Sequence, residues 1–366
     1  MTTDKTIADR KRLYQVWKGK NTFMCGGRLI FGPYGVSSLL TALLIVAPYL
    51  VFFFQTILKM KARVNHVDDD NYIFEFSVLI VGSIITLTDL VFLFITSSSD
   101  PGIIPRNSRL LPEYDSTSSS IMLMYGKNSG KTYVVKDVVV NNFIVRVKYC
   151  DTCLLFRLPR ASHCSICNNC VQKFDHHCPW FGQCIGLRNY RFFFLFISTS
   201  TFLCLYFFTF SSLNILEQIK HESLSKAMKR EVLSLILCIY TFVAVWFVGG
   251  LTLFHLHLII TNQSTYENYR HLFDEKENPY NKGILGNIKE VFFSSIPPSL
   301  INFRSFVVDE SDEVGSDRPS FNDDNTQKEK IANGMDCMDS ANEVGIPRIL
   351  QNLDYSGISI DYNDTK

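Results

Sequence analysis

The sequence predicts an α-helical polytopic membrane protein with four transmembrane helices and a small cytosolic two-zinc cysteine-rich domain between helices 2 and 3. Two observations support this fold class. Hydrophobic residues make up 47% of the 366 positions, and many of them gather into four long apolar runs. Between the second and third runs, seven cysteines and three histidines lie within residues 150–184. The apolar runs indicate membrane spans, and the clustered thiols and imidazoles indicate metal sites.

The four apolar runs each reach the roughly 20 residues that a helix needs to cross the hydrocarbon core of a membrane. They occupy residues 36–58, 74–95, 192–210 and 232–260. Buried helices of a soluble protein are the disfavoured alternative, because such helices seldom run this far without a polar face. Pro48 interrupts the first run, and we expect it to kink the helix or to mark a local break.

Polar residues inside the runs allow two interpretations each. Asp89 in the second run costs roughly 2.5–3.5 kcal/mol at membrane depth, so it is expected to face the helix bundle or a wet cavity. A polar pathway is one interpretation of Asp89, and a hydrogen bond between helices is the favoured one. His255 and His257 lie two residues apart and do not share a helix face. They are expected to be interfacial polar residues rather than a third metal site.

The distribution of basic residues sets the expected orientation. Residues 1–35 carry seven basic and two acidic side chains, and the segment between the second and third runs is also rich in Lys and Arg. By the positive-inside rule both segments are cytosolic, and four spans then leave both termini in the cytosol. The membrane is expected to belong to the endomembrane system (ER, Golgi or vesicles) or to be the plasma membrane. A formal net charge of +1 gives no indication of nucleic-acid binding.

These patterns divide the chain into seven segments. They are a cytosolic N-terminal segment (1–35), helices 1 and 2 (36–96), a cytosolic linker and hairpin (97–147), a cysteine-rich zinc domain (148–191), helices 3 and 4 (192–262), a cytosolic segment (263–303) and a C-terminal tail (304–366). The tail is rich in Asp, Asn and Ser and is expected to be disordered. Asn141-Asn142 between β-branched runs predicts a hairpin in which both residues have positive φ.

Residues 150–184 hold ten candidate metal ligands. They are Cys150, Cys153, His163, Cys164, Cys167, Cys170, His176, His177, Cys178 and Cys184. Clustered thiols in a reducing compartment are typical of metal binding rather than of disulfides. A structural zinc site takes four thiolate or imidazole ligands, so two closed sites use eight candidates and leave two.

The consecutive residues Asp175-His176-His177-Cys178 indicate what the remaining two candidates do. A thiolate is a nucleophile, a nearby imidazole can take the thiol proton, and a carboxylate can fix the tautomer of that imidazole. Spacing alone does not tell which histidine binds metal and which acts as the base. It also leaves open that every thiol binds metal.

These residues resemble the cysteine-rich domain of the DHHC protein S-acyltransferases (palmitoyltransferases), and Gly182-Gln183 resembles the plant members. The matching motifs are Cys150-x2-Cys153, Leu158-Pro159-Arg160, His163-Cys164-x2-Cys167-x2-Cys170, Asp175-His176-His177-Cys178-Pro179-Trp180, Cys184-Ile185-Gly186 and Asn189. Outside the domain, similar motifs are Asp100-Pro101-Gly102 (DPG), Ser264-Thr265-Tyr266-Glu267 (TTxE, with Ser for the first Thr) and Asn287 (the PaCCT segment).

The resemblance implies two structural zinc ions and one reactive thiol. One ion would be held by Cys150, Cys153, His163 and Cys170, and the other by Cys164, Cys167, His177 and Cys184. The resemblance further implies that His176 and Asp175 activate Cys178 as the nucleophile.

The family reaction implies that Cys178 takes a long-chain acyl group from an acyl-CoA such as palmitoyl-CoA and passes it to a cytosolic juxtamembrane cysteine of a client protein. The acyl chain and the surrounding membrane lipids would contact the spans. Arg188 and Arg191 are expected to lie near the anionic CoA head group. The alternative is a non-catalytic zinc-binding membrane adaptor, which has no need for a spare thiol beside a spare imidazole. A transporter is disfavoured by the few intramembrane charges.

Overall fold

Four long helices dominate the computed structural model, which describes residues 10–63, 70–107, 121–125 and 132–307. They are α1 (Ser37–Arg63), α2 (Asp70–Ser98), α3 (Tyr190–Ile219) and α5 (Val232–Thr261), with the short helix α4 (Leu224–Arg230) between the last two. Each long helix has the length and the apolar composition to cross a membrane. The predicted four-helix membrane fold is therefore confirmed.

Helix α1 continues through Pro48, so of the two expected outcomes, a kink or a local break, the break does not occur. A proline inside a helix removes the N–H that would bond to the carbonyl four residues earlier. That carbonyl belongs to Leu44, and it accepts a hydrogen bond of 2.7 Å from the Tyr240 hydroxyl of α5. A neighbouring helix thus supplies the missing donor, which is how membrane helices tolerate proline.

Asp89 joins α2 to α3. Its carboxylate is fully buried and accepts hydrogen bonds from the hydroxyls of Thr199, at 2.6 Å, and Ser200, at 2.9 Å. The favoured interpretation of Asp89, a hydrogen bond between helices, is confirmed. Every buried acceptor in a membrane needs such a partner, because no water is available in the hydrocarbon core.

The segment between α2 and α3 is built from short antiparallel strands. A four-stranded sheet contains β3 (Ile121–Tyr125), β4 (Thr132–Val140), β5 (Phe143–Cys150) and β6 (Leu155–Phe156), and two hairpins pair β7 (Ser162–Cys164) with β8 (Asn169–Val171) and β9 (His176–Cys178) with β10 (Gln183–Ile185). Asn141 and Asn142 connect β4 to β5 with φ of 48° and 66°, so the predicted hairpin is confirmed. Strand β5 leads directly into the first cysteine of the cluster.

The two ends of the described chain pair with each other on the cysteine-rich segment 148–191, which we call the zinc module. Two N-terminal strands, β1 (Thr22–Met24) and β2 (Leu29–Phe31), form a hairpin. Upstream of it, the Tyr14 N–H donates to the Phe303 carbonyl at 2.8 Å, and the Trp17 and Phe303 rings meet edge to face at 5.1 Å. Residues 304–307 take part in this pairing. The rest of the tail predicted to be disordered, 308–366, lies outside the described residues.

The N-terminal segment approaches the zinc module most closely at Gly32. A Cβ added at Gly32 would collide with the backbone carbonyl of Gly182, and a Cβ at Gly182 (φ +61°) would collide with the Tyr34 carbonyl. Backbone atoms cannot give way as a flexible side chain does. Glycine at these positions is therefore what allows the two segments to touch.

Replacing Gly32 by Ala should push the N-terminal segment away from the module and destabilise the protein by about 1–3 kcal/mol, the usual cost of overpacking. Thermal unfolding in detergent should show a Tm lower by several degrees. Gly250→Ala is the control, because a Cβ there meets open space. Equal Tm values for the two variants would contradict the predicted contact.

Candidate metal centres and active site

Three thiols and one imidazole converge where β5, β7 and β8 meet. The Nδ1 atom of His163 lies 3.5 Å from the Sγ atoms of Cys150 and Cys153 and 3.8 Å from that of Cys170. All four candidate ligand atoms lie within 4.8 Å of one another. We call this group cluster A.

A second group of the same composition lies between the β7–β8 and β9–β10 hairpins. The Nδ1 atom of His177 lies 3.8 Å from the Sγ atom of Cys164, 3.4 Å from that of Cys167 and 3.7 Å from that of Cys184. These four ligand atoms also lie within 4.8 Å of one another. We call this group cluster B.

The spacing within clusters A and B fits zinc. With Zn–S near 2.3 Å and Zn–N near 2.0–2.1 Å, two tetrahedral ligands are separated by about 3.5 Å. The observed S···N separations run from 3.4 to 3.8 Å, and the cysteines of both clusters are free thiols. Two Cys/His clusters that can hold a metal ion are thus present, and they contain the same residues that the family resemblance implied. A Cys₃His set with four protein ligands is typical of structural zinc.

Strand alternation separates the two neighbouring histidines. Successive side chains of a strand point to opposite faces, so His176 and Cys178 of β9 share one face and His177 takes the other. The register of the hairpin pairs Cys184 with His177 and Ile185 with His176. His177 therefore faces cluster B, whereas His176 faces away from it and towards the helices.

His163→Ala should release zinc and unfold the module, because a structural site with an open position binds its ion weakly and supplies much of the folding free energy. Metal analysis of the purified variant should find at most about one ion per chain in place of two, with a lowered Tm. Cys25→Ser is the matched control, since Cys25 is exposed and lies outside both clusters. A variant that keeps two ions and the wild-type Tm would remove His163 from the proposed ligand set.

Asp175 and His176 form a hydrogen-bonded pair at the base of β9. The Nδ1 atom of His176 lies 2.6 Å from the Asp175 carboxylate. Thr265 donates to the same carboxylate twice, through its backbone N–H at 2.9 Å and its hydroxyl at 2.8 Å. The carboxylate is buried, so these three donors take the place of water.

The surrounding protein shifts the pKa of Asp175 and the pKa of His176 in opposite directions. Burial would raise the pKa of Asp175, but the hydrogen bond from His176 and the neighbouring positive charge hold that pKa below its usual range. Burial would lower the pKa of His176, but hydrogen bonds to Asp175 and Cys178 outweigh it and raise the pKa to about 10. The carboxylate therefore stays ionised, and the imidazole beside the thiol holds a proton readily.

Cys178 lies at the junction of the module and the helices. Its side chain is 5% exposed and belongs to one buried cluster with Leu93 of α2, Phe193 of α3 and Ile259 of α5. The Cys178 thiol is therefore next to the ends of three long helices.

The segment after α5 is tied to the module through the short helix α6 (Thr265–Tyr269). Ser264 caps α6, and its hydroxyl accepts from the Glu267 N–H while the Glu267 carboxylate accepts from the Ser264 N–H. The same carboxylate receives two bonds from Arg160, at 2.7 and 2.6 Å. The Ser in place of the family's first Thr thus keeps the capping hydroxyl.

Helix α7 (Gly283–Phe292) completes this connection. Asn287 is buried, and its side-chain amide donates to the Ile260 carbonyl at the end of α5 at 2.7 Å. The two arginines predicted to contact the CoA head group hold the end of α7 and the chain after it. Arg188 bonds to the Pro297 carbonyl and lies 3.5 Å from Asp100. Arg191 bonds to the Val291 carbonyl at 2.6 Å and to the Ser294 carbonyl. Their role in binding CoA stays a prediction.

His255 was expected to be an interfacial polar residue. It is 1% exposed and lies beside the Asp175–His176 pair, whereas His257 is exposed. His255 is thus buried within the protein near the end of α5, and its interfacial position stays a prediction. The buried positions of α5 share one helix face with His255, and they include Ser234, Leu237, Thr241 and Leu258. Helical periodicity places His255 on the buried face and was the available signal.

Comparison with known proteins gives consistent matches. Residues 145–272 match the family model of the DHHC palmitoyltransferases. The chain is 53% identical over 306 residues to probable protein S-acyltransferase 3 of Arabidopsis thaliana. The aligned residues cover 82% of this chain and 72% of that relative. It is 51% identical over 311 residues to probable protein S-acyltransferase 2 (84% and 74%), and 50% identical over 311 residues to probable protein S-acyltransferase 1 of the same plant (84% and 89%).

Proposed function

This chain belongs to the DHHC family of protein S-acyltransferases, and from that membership we propose that Cys178 carries the acyl group between acyl-CoA and a client protein. The observation that supports this role best is the group formed by Asp175, His176 and Cys178. It lies outside two complete Cys₃His clusters. Eight ligands satisfy two metal sites, and the remaining thiol and imidazole share one face of a strand.

The reaction has two balanced steps. In the first, the Cys178 thiolate attacks the thioester carbonyl of the acyl-CoA, the bond from the acyl carbon to the CoA sulfur breaks, and CoA leaves with a proton from the His176 imidazolium. In the second, His176 takes the proton of the client thiol, whose sulfur attacks the acyl group on Cys178 and regenerates the enzyme thiolate. Asp175 holds the imidazole in one orientation throughout.

Zinc, when bound to clusters A and B, would supply structural support only. Both clusters provide four protein ligands and leave no open coordination position for a reacting group. The metal would therefore stabilise the short strands on which Asp175, His176 and Cys178 lie, and these protein side chains would perform the proton transfer and the nucleophilic attack.

We also propose that both termini and the zinc module lie in the cytosol, at an endomembrane (ER, Golgi or vesicles) or at the plasma membrane. The basic N-terminal segment supports this orientation. Contacts support a common side for these segments, because the Lys20 N–H donates to the Cys167 carbonyl and the Val307 N–H to the Lys11 carbonyl, both at 2.9 Å. Clients would accordingly present cysteines close to the cytosolic membrane surface, where Cys178 lies.

The CoA head group is expected on the same side. Arg191 and Lys173 line a cavity of about 120 Å³ together with Asp175. Arg188 and Arg191 already donate to backbone carbonyls. They would therefore contribute to CoA binding through their positive charge beside the anionic head group.

Mass spectrometry of the purified protein after incubation with palmitoyl-CoA tests the proposal. Wild type should carry a hydroxylamine-sensitive acyl adduct on the Cys178 peptide. Cys178→Ser should lose both the adduct and client acylation while it retains two zinc ions, and Cys25→Ser should behave as wild type.

Hydroxylamine-sensitive label and client acylation that persist in Cys178→Ser would overturn the assignment. Zinc loss in that variant would make Cys178 a metal ligand and favour the adaptor alternative.

A further inference from the structure

His255 and Tyr190 approach the Asp175–His176 pair from the membrane side. The Tyr190 hydroxyl, at the start of α3, lies 3.2 Å from the Nδ1 atom of His255 in α5. The His255 ring is 6.0 Å from the ring of His176 between centroids. One nitrogen each of His176 and His255 and one oxygen of Asp175 lie within 4.8 Å of one another. A residue pair from two membrane helices thus reaches the proposed base.

Aromatic packing limits how the His176 ring can turn. Phe193 meets His176 edge to face at 5.3 Å and meets His255 edge to face at 4.8 Å. Asp175 holds one ring nitrogen of His176, while the rings of Phe193 and His255 lie against His176 on the helix side. His255 itself is almost fully buried, so its ring position depends on its own hydrogen bond to Tyr190.

We propose that Tyr190 and His255 form a positioning pair that holds the His176 ring in the orientation needed for proton exchange with Cys178. This inference rests on the proposed function of Cys178 and His176. The Tyr190 hydroxyl fixes the His255 ring, and the His255 ring then blocks rotation of His176 away from the thiol. Tyr190 and His255 do not exchange a proton with the substrate in this scheme. They affect the rate of acyl transfer only by orienting His176.

A shared metal ion is a poorer account of the same three residues. Two ligands bound to one tetrahedral ion at about 2.0–2.1 Å are separated by about 3.3 Å. The Asp175 oxygen and the His176 nitrogen are 2.6 Å apart, which is the length of a direct charge-assisted hydrogen bond. The geometry therefore fits two hydrogen-bonded pairs, Asp175–His176 and Tyr190–His255, whose histidine rings lie against each other.

A double-mutant cycle tests the pair in the full-length, zinc-loaded protein. Tyr190→Phe removes one oxygen and keeps the ring, and His255→Phe keeps a ring and removes the bond to Tyr190. His257→Phe is the matched control, because His257 lies on the same helix on the exposed side. The readouts are the single-turnover rate of acyl-enzyme formation, the KM for palmitoyl-CoA, the rate of alkylation of Cys178 by iodoacetamide, and the zinc content.

Each single variant should slow acyl-enzyme formation about tenfold, the factor associated with one lost orienting hydrogen bond. The double variant should be no more than about twofold slower than the slower single variant, because both substitutions break the same link. Alkylation of Cys178 should slow in parallel, whereas KM and the two zinc ions should be unchanged and His257→Phe should match wild type.

Four outcomes would overturn the proposal: wild-type rates in both single variants, additive losses in the double variant, a raised KM with an unchanged rate, or a third zinc ion that is lost with His255. Failure of the underlying function looks different. In that case Cys178→Ser keeps the acyl adduct, and wild type itself shows no rate that depends on Cys178.

Discussion

Asp175→Asn should lower kcat for acyl transfer by about 10⁴-fold, the loss associated with replacing the carboxylate of a comparable triad by an amide. The amide nitrogen of Asn would donate towards the Nδ1 atom of His176 and force the other tautomer. The ring nitrogen that should accept the Cys178 proton would then carry a hydrogen itself. Single-turnover acylation and CoA release measure the effect.

The zinc content and Tm of Asp175→Asn should stay close to wild type, since the amide oxygen can still accept the Thr265 N–H that now bonds to the carboxylate at 2.9 Å. Asp137→Asn is the control, because Asp137 lies in the exposed hairpin and pairs with Arg146. A loss of less than about tenfold would mean that His176 keeps its orientation and tautomer without the carboxylate.

Arg160→Ala should destabilise the docking of the zinc module onto α5 and α6 by about 3–5 kcal/mol, because it leaves the Glu267 carboxylate buried without its cation. The side chains of Arg160 and Glu267 are only 8% and 4% exposed. Arg160 also donates to the Asn262 side chain at 2.8 Å and packs over the Tyr280 ring at 4.4 Å. Thermal unfolding and limited proteolysis of the module measure the loss.

A matched exposed pair provides the control for Arg160. Arg146 bonds to Asp137 through two donors at 2.6 and 2.9 Å, but the two side chains are 43% and 30% exposed. Arg146→Ala should therefore cost only about 0–1 kcal/mol. Arg160→Lys should fail to restore stability, because an ammonium group cannot replace the two-pronged bond to Glu267. Equal effects of Arg160→Ala and Arg146→Ala would contradict the proposed docking role.

Local patterns predicted most of the architecture. The four apolar runs became the four long helices, and Asn141-Asn142 became the turn of the predicted hairpin with both φ angles positive. These features depend on neighbouring residues, through hydropathy along one helix or the φ preference of a turn. Local patterns did not show that α1 runs through Pro48 without a break, because the donor that satisfies the Leu44 carbonyl is Tyr240 on another helix.

The pairing of the chain ends and the position of His255 depend on contacts between distant segments. Residues near Tyr14 meet Phe303, and His255 meets Tyr190, only after the whole chain has folded. Helical periodicity could have placed His255 on the buried face of α5. It could not have identified His176 as its neighbour.

The sequence by itself determined how many metal ligands exist, that one thiol and one imidazole exceed the needs of two zinc sites, and where the membrane spans lie. It did so because composition and spacing are local properties. Only the tertiary structure decided which histidine faces which partner. The β9–β10 hairpin directs His177 towards cluster B and leaves His176 beside Asp175 and Cys178, since side chains alternate along a strand.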